Sequence, residues 1–135
     1  MKNKGFTLIE LLVVIAIIGI LSTIVLVSVN SARNKANDVA IKAALEQVRS
    51  VAELLYNDNA TTANSYDGLT VDLPANMAII KTSIANNSGT LVVNENNTDY
   101  CAQSVLKTSG AWCVDSSGYA GTIAVCDATA DCAAD

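Results

Sequence analysis

Residues 1–30 read MKNKGFTLIELLVVIAIIGILSTIVLVSVN, and the nature of this stretch decides what fold can follow it. From Leu11 to Val29 only Gly19, Ser22, Thr23 and Ser28 interrupt a run of aliphatic residues and alanine. A helix needs about 20 apolar residues to cross roughly 30 Å of hydrocarbon, and Phe6–Val29 meets that length. Lys2 and Lys4 precede the run and no Lys or Arg follows until Arg33, so the positive-inside rule leaves the stub in the cytoplasm and the remainder outside. A cleaved secretory signal is the competing reading. Its apolar core is about 7–15 residues and ends at a small-residue cleavage site, whereas this run is longer and has no Ala-x-Ala near its end. One residue is out of character: Glu10 places a carboxylate at the front of the run. A charge at the centre of a membrane helix costs on the order of 2–3 kcal/mol even on the lenient insertion scale, so something must compensate for it.

After Val29 the pattern turns amphipathic without a helix breaker. Val29, Ala32, Ala36, Val39, Ala40, Ala43, Val48, Val51, Ala52 and Leu55 recur at three- and four-residue intervals. Lys42/Glu46 and Arg49/Glu53 stand between them as i,i+4 pairs. One helix from Phe6 to Tyr56 is predicted, membrane-immersed over 6–29 and amphipathic over 30–56. Its Ala/Val stripe has two uses: packing on the rest of the chain, and close approach of other copies of the same helix. Asn57-Asp58-Asn59 ends it, since short polar side chains compete for backbone hydrogen bonds.

Residues 57–135 read as a single small domain. An irregular connection runs to about Asp72, and Pro74 precedes a series of β-prone runs at Met77–Ile84, Thr90–Val93, Tyr100–Leu106, Ala111–Val114 and Thr122–Val125. Turn clusters separate them, among them Ala85–Gly89, which predicts antiparallel hairpins covering the amphipathic helix. The fold class is therefore α+β: a long N-terminal helix on a small antiparallel sheet. Trp112, Tyr100, Leu106, Ile80 and Val92 are the candidate core. Such a sheet buries little, and Cys101, Cys113, Cys126 and Cys132 supply reinforcement, because an even number of cysteines beyond a membrane segment reads as disulfides of an oxidising compartment. Four cysteines allow three connectivities, and the nearest-neighbour pairing, Cys101–Cys113 with Cys126–Cys132, is the expectation.

Several chemistries are disfavoured. The chain has no histidine, hence neither the commonest general base nor the commonest transition-metal ligand. Neither cysteine pair has the two-to-four-residue gap of a zinc knuckle, and Asp115, Ser117 and Asp127 match no calcium motif and read as turn residues. No metal, cofactor or catalytic constellation is expected. Its 8 Lys/Arg are outnumbered by 13 Asp/Glu, and two of the 8 lie before Gly5, so nucleic acid is not an expected partner. Asn59, Asn86 and Asn96 begin glycosylation-type triplets, which Asn-rich loops also generate by chance.

The segment KGFTLIELLVVIAIIGIL resembles the N-terminus of type IV pilins and pseudopilins. The resemblance covers the first half of the chain and is contiguous from Lys4 to Glu10. It implies that residues 1–5 are a leader cut between Gly5 and Phe6 by a prepilin peptidase, that Phe6 becomes N-methylated, and that Glu10 meets the Phe6 amine of a neighbouring copy during assembly. It further implies a partner set of other pilin subunits, the assembly machinery and the inner membrane. The chain would be a single-pass inner-membrane protein before assembly and part of a surface pilus after it. Gly19 matches a glycine at which pilin helices loosen, whereas Val27 stands where many members carry a helix-kinking proline. A pseudopilin of a type II secretion system is the alternative within the family. A membrane-tethered enzyme or binding domain is the alternative outside it.

Overall fold

The computed structural model describes residues 5–58, 64–69, 75–123, 125–126 and 129–133. Contacts divide the chain into two compact units, one up to Arg33 and one from Asn34 onward. Helix α1 spans Leu8–Asp58, starting two residues after and ending two residues beyond the predicted bounds. The late start has its cause at Thr7, whose hydroxyl accepts from the Glu10 amide and caps the helix. At the other end the Asn57 side chain donates to the Glu53 carbonyl at 2.8 Å and extends the last turn.

In the first unit the described residues are exposed. Its large apolar side chains from Phe6 to Val29 are 40–85% exposed. By length and composition α1 is able to cross a membrane. Gly19 sits within the helix, where the Thr23 hydroxyl donates to its carbonyl at 3.0 Å.

In the second unit α1 buries a different stripe from the one predicted. Ile41, Ala44, Leu45, Val48, Val51 and Ala52 face the core together with Asp38, whereas Ala36, Val39 and Ala43 are exposed. The last two turns of the predicted stripe are in phase and the earlier ones are not. The expectation counted alanines as core-facing, but the larger Ile41 and Leu45 take the interior because they remove more apolar area from water.

The largest correction is a second helix. Met77–Ile84 is not a strand: α2 spans Ala75–Asn86. Met77, Ile80 and Ile84 are buried at the i, i+3, i+7 interval of a helix, and that period prevails over the β-propensity of the segment's three isoleucines. The predicted turn at Ala85–Gly89 is the C-terminal cap of α2. Ser88 adopts φ 64, and the amides of Asn87 and Gly89 donate back to the Ile84 carbonyl at 3.1 and 2.9 Å. A Cβ on Gly89 would stand 2.5 Å from the Ser104 hydroxyl, so this close approach of cap to sheet requires glycine.

Four antiparallel strands follow in sequence order: β1 Val92–Glu95, β2 Tyr100–Val105, β3 Ala111–Asp115 and β4 Ala120–Ile123. Alternation sorts their side chains between two faces. Tyr100, Ala102 and Val114 join α1, α2, Tyr66 and Leu69 in the core, with Trp112 packed against them. Cys101 and Cys113 point to the other face and form a separate buried cluster with Cys126 and Cys132. Of the candidate core, Tyr100, Leu106 and Ile80 are buried, Trp112 is half-buried and Val92 is exposed.

A two-stranded ribbon, β5 Val125–Cys126 and β6 Cys132–Ala133, accompanies that second face. The bridges are Cys101–Cys126 and Cys113–Cys132, which corrects the nearest-neighbour pairing. Register explains it: Cys101 lies opposite Asp115 and Cys113 opposite Gln103, so the two are not cross-strand partners. Each instead reaches the ribbon, and both bridges attach it to the sheet. The closed loops, with separations of 25 and 19 residues, each contribute roughly 3 kcal/mol in the chain-entropy model.

Candidate assembly site

The N-terminal site is built from the first turn of α1. An α-helix leaves its first four N–H groups without intrahelical partners, and here Thr7 and Glu10 answer that need reciprocally. The Glu10 amide donates to the Thr7 hydroxyl at 3.3 Å. The Thr7 amide and hydroxyl both donate to Glu10 Oε2, at 2.9 and 2.8 Å. This is a capping box, and it fixes the helix start at Leu8. It also places the carboxylate at the positive end of the helix dipole, where an anion is favoured.

The charge of Glu10 calls for compensation, and the structure supplies part of it from within the same chain. Thr7 is the residue that the sequence reading missed. The signal was present in the Thr-x-x-Glu spacing just before an apolar run. Gly5 and Phe6 precede the cap, and Phe6 is 85% exposed. Both bonds on the Glu10 side chain fall on Oε2.

A second set of polar residues holds the domain around α1. Asp38, 5% exposed, accepts from the amides of Lys107 and Thr108 at 2.5 and 3.0 Å, and from the Thr108 hydroxyl. It thereby fastens the helix to the β2–β3 turn, which Gly110 closes at φ 54. Burial by itself would raise its pKa. The Thr108 hydroxyl, the two amides and the Lys42 charge outweigh burial and hold the carboxyl below its ordinary value.

Asp115 plays the same part at the β3–β4 turn, accepting from the Ser117 hydroxyl at 2.7 Å and the Tyr119 amide at 2.9 Å. Burial opposes the charge there too. The Ser117 hydroxyl, the amides of Tyr119 and Cys132 and the Asp131 side chain prevail and lower the pKa. Ser117 is thus a turn residue, Asp115 is the last residue of β3, and Asp127 lies outside the described residues.

Of the predicted i,i+4 pairs, Lys42, Arg49 and Glu53 make tertiary contacts. Lys42 Nζ sits 4.1 Å from the Trp112 ring centroid. Arg49 donates to the Tyr119 carbonyl at 2.9 Å, and Glu53 accepts from the Tyr66 hydroxyl at 3.0 Å. Tyr66 also sits between Tyr56 and Tyr100, tilted against the first and edge-on to the second, with centroids 4.7 and 4.9 Å away.

The sulfurs of Cys101, Cys113 and Cys126 lie within 4.8 Å of one another. All four cysteines are committed to disulfides, so they offer no thiolate to a metal. Asn96 is tied into an Asx turn, its Oδ1 accepting from the amides of Thr98 and Asp99. Asn86 is the last residue of α2, and Asn59 lies outside the described residues.

The family model for the prokaryotic N-terminal methylation motif matches residues 1–26. The chain is 40% identical over 93 residues to the type IV wide pilus major component PilA4 of Thermus thermophilus, an alignment covering 65% of this chain and 71% of that protein. No solved structure matches. A match of that extent runs well past the motif into the residues that build the domain, and the chain belongs to the type IV pilin family.

Proposed function

We propose that the chain is the structural subunit of a type IV pilus, polymerised through α1 and displaying its disulfide-braced domain on the filament exterior. The observation that carries this reading is the 40% identity to a pilus major component over 93 residues. In this reading residues 1–5 are a leader removed by the prepilin peptidase. Residues 6–29 anchor the subunit in the inner membrane and then form the polymerisation core, residues 30–56 join helix to domain, and residues 57–135 form the domain.

Phe6 is the methylated N-terminus, and its amine meets Glu10 of a neighbouring copy. The capping box supports this assignment. Thr7 holds Oε2, which lowers the cost of the carboxylate in lipid before assembly, and Oε1 is the acceptor we assign to the amine. A buried pair of this kind adds little net stability, because desolvation offsets the Coulomb attraction. Its value is register, since a subunit at the wrong height leaves two charges unpaired in an apolar core at a cost of several kcal/mol. Gly19 is the point at which we place any loosening of the helix in the filament.

Electron microscopy of sheared surface filaments, with N-terminal sequencing of their subunit, tests the proposal. Fibres whose subunit begins with methylated Phe6 are the expected result. A cell-associated chain that retains Met1 and forms no fibre would overturn it.

A further inference from the structure

The four cysteine sulfurs meet in one place, on the sheet face turned away from the core. Cys101 and Cys113 stand on neighbouring strands two residues out of register, with Cys101 opposite Asp115 and Cys113 opposite Gln103. Cys126 and Cys132 are direct partners across the ribbon. Two bridges join these layers, yet they are not kept apart: Cys113 Sγ lies 3.8 Å from Cys126 Sγ, to which it is not bonded. Cys101 Sγ belongs to the same group, within 4.8 Å of both, and all four cysteines are buried.

Hydrogen bonds hold the ribbon against the sheet independently of the bridges. The Cys126 amide donates to Gln103 Oε1 at 2.8 Å and the Cys132 amide to Asp115 Oδ2 at 3.4 Å. Asn94, opposite Cys101 on β1, donates through Nδ2 to the Cys126 carbonyl at 3.1 Å. Residues that face the two sheet cysteines in register are thus the ones that grip the two ribbon cysteines. Opening one bridge leaves these bonds and the other bridge in place, so the freed sulfur stays beside its neighbour. Reactants held in that way react as one molecule rather than as two.

We propose that the two bridges form a thiol–disulfide exchange site, in which the bond to Cys126 migrates from Cys101 to Cys113. A dithiol, such as that of a thiol oxidoreductase, reduces Cys113–Cys132 to two thiols and is itself oxidised to a disulfide. The Cys113 thiolate then attacks Cys126 Sγ. The Cys113–Cys126 bond forms as the Cys101–Cys126 bond breaks, and Cys101 leaves with the electron pair and takes up the proton that Cys113 gave up. Opening the other bridge first leads to the same product, because the Cys126 thiolate meets Cys113 across the same 3.8 Å. One S–S bond replaces another, so the ribbon stays covalently attached to the sheet while the domain changes its connectivity without unfolding. The exchange takes place within a single copy and does not depend on the pilus reading.

The test uses the full, detergent-solubilised chain. Cys132→Ser leaves one thiol beside the remaining bridge. Acid quenching, alkylation in denaturant and peptide mapping are expected to find that thiol on both Cys101 and Cys113. The wild-type chain is partially reduced by a phosphine at pH 5, where thiols are protonated and exchange is slow, and is then stepped to higher pH. A Cys113–Cys126-linked peptide is expected to appear, about ten-fold faster for each pH unit because the thiolate is the attacking species, and at a rate independent of protein concentration.

A thiol confined to Cys113 in the folded variant overturns the exchange site. So does a wild-type chain that yields no Cys113–Cys126 peptide, or yields it at a rate proportional to protein concentration. Should the variant not fold, the wild-type experiment decides alone. Filament formation is read in neither experiment, so the pilus reading stands or falls separately.

Discussion

Leu12 and Leu45 occupy the same helix and have opposite surroundings. Leu12 is 55% exposed and Leu45 fully buried. In the first unit every large aliphatic side chain faces outward, and its solvent must be lipid or other copies of the helix. In the second unit the same kind of side chain is enclosed by the chain's own sheet and second helix. The helix has one backbone geometry throughout; what changes is which partner removes its apolar surface from water. Mutations in the two regions should therefore be read by different assays, assembly for the first and unfolding for the second.

The strongest way to break that contrast is at Glu10. Glu10→Ala removes the only acidic side chain between Phe6 and Val29, and Gly5–Phe6 processing should remain intact while surface filaments are lost. Immunoblotting for the processed subunit, beside microscopy of sheared fibres, checks both halves. Normal fibres from this variant would refute a register role for the carboxylate.

Next in size is the leucine pair itself. Leu45→Ala should destabilise the second unit by about 2–5 kcal/mol, the range for a fully buried Leu deleted without collapse of its site. Leu12→Ala should leave the same urea midpoint unmoved. If both variants shifted that midpoint equally, the two regions would not be separate energetic units.

The disulfides sharpen the contrast from another side. Replacing Cys113 and Cys132 together by Ser should cost roughly 2–4 kcal/mol, measured by urea unfolding of the solubilised subunit, and should free the ribbon at one of its two covalent attachments. The Cys101/Cys126 double replacement should act alike.

How much of this was legible beforehand follows from what each feature depends on. The membrane run needs only composition along the chain, so it reads directly, and so do β2 and β3, expected at Tyr100–Leu106 and Ala111–Val114 between clusters of turn residues. Helix α2 was misread because Ile79 and Ile80 were weighed by propensity, while the deciding fact was the interval from Met77 to Ile80 to Ile84. The phase of α1 was misread for a related reason: in an alanine-rich helix several faces look apolar, and only the sheet determines which is covered. The cysteine pairing could not be read at all from spacing, since it depends on which sheet face each sulfur occupies. Glu10 was found through its apolar setting and the family resemblance, whereas Thr7 required attention to the cap.

The smallest effect worth measuring is at Asp38, where the helix enters the domain. Its carboxylate takes two amides and a hydroxyl from the β2–β3 turn, and hydrogen bonds to a charged group are each worth about 1.5–3 kcal/mol at most. Asp38→Asn keeps the shape but supplies one acceptor oxygen in place of two, so a loss of about 1–2 kcal/mol at neutral pH is expected. The wild-type pKa is lowered on folding, so the folded state holds the proton less tightly than the unfolded chain does. The stability this group contributes is complete above its unfolded value near 3.9 and fades as pH falls below that. Asp115, lowered in the same sense, adds to the same acid limb, so the Asn variant at Asp38 should flatten the limb without abolishing it. Urea midpoints collected between pH 7 and pH 2 decide the matter. Parallel curves for wild type and Asp38→Asn would mean that the clamp acts through shape alone, and curves that converge as pH falls would show that its charge fastens the helix to the turn.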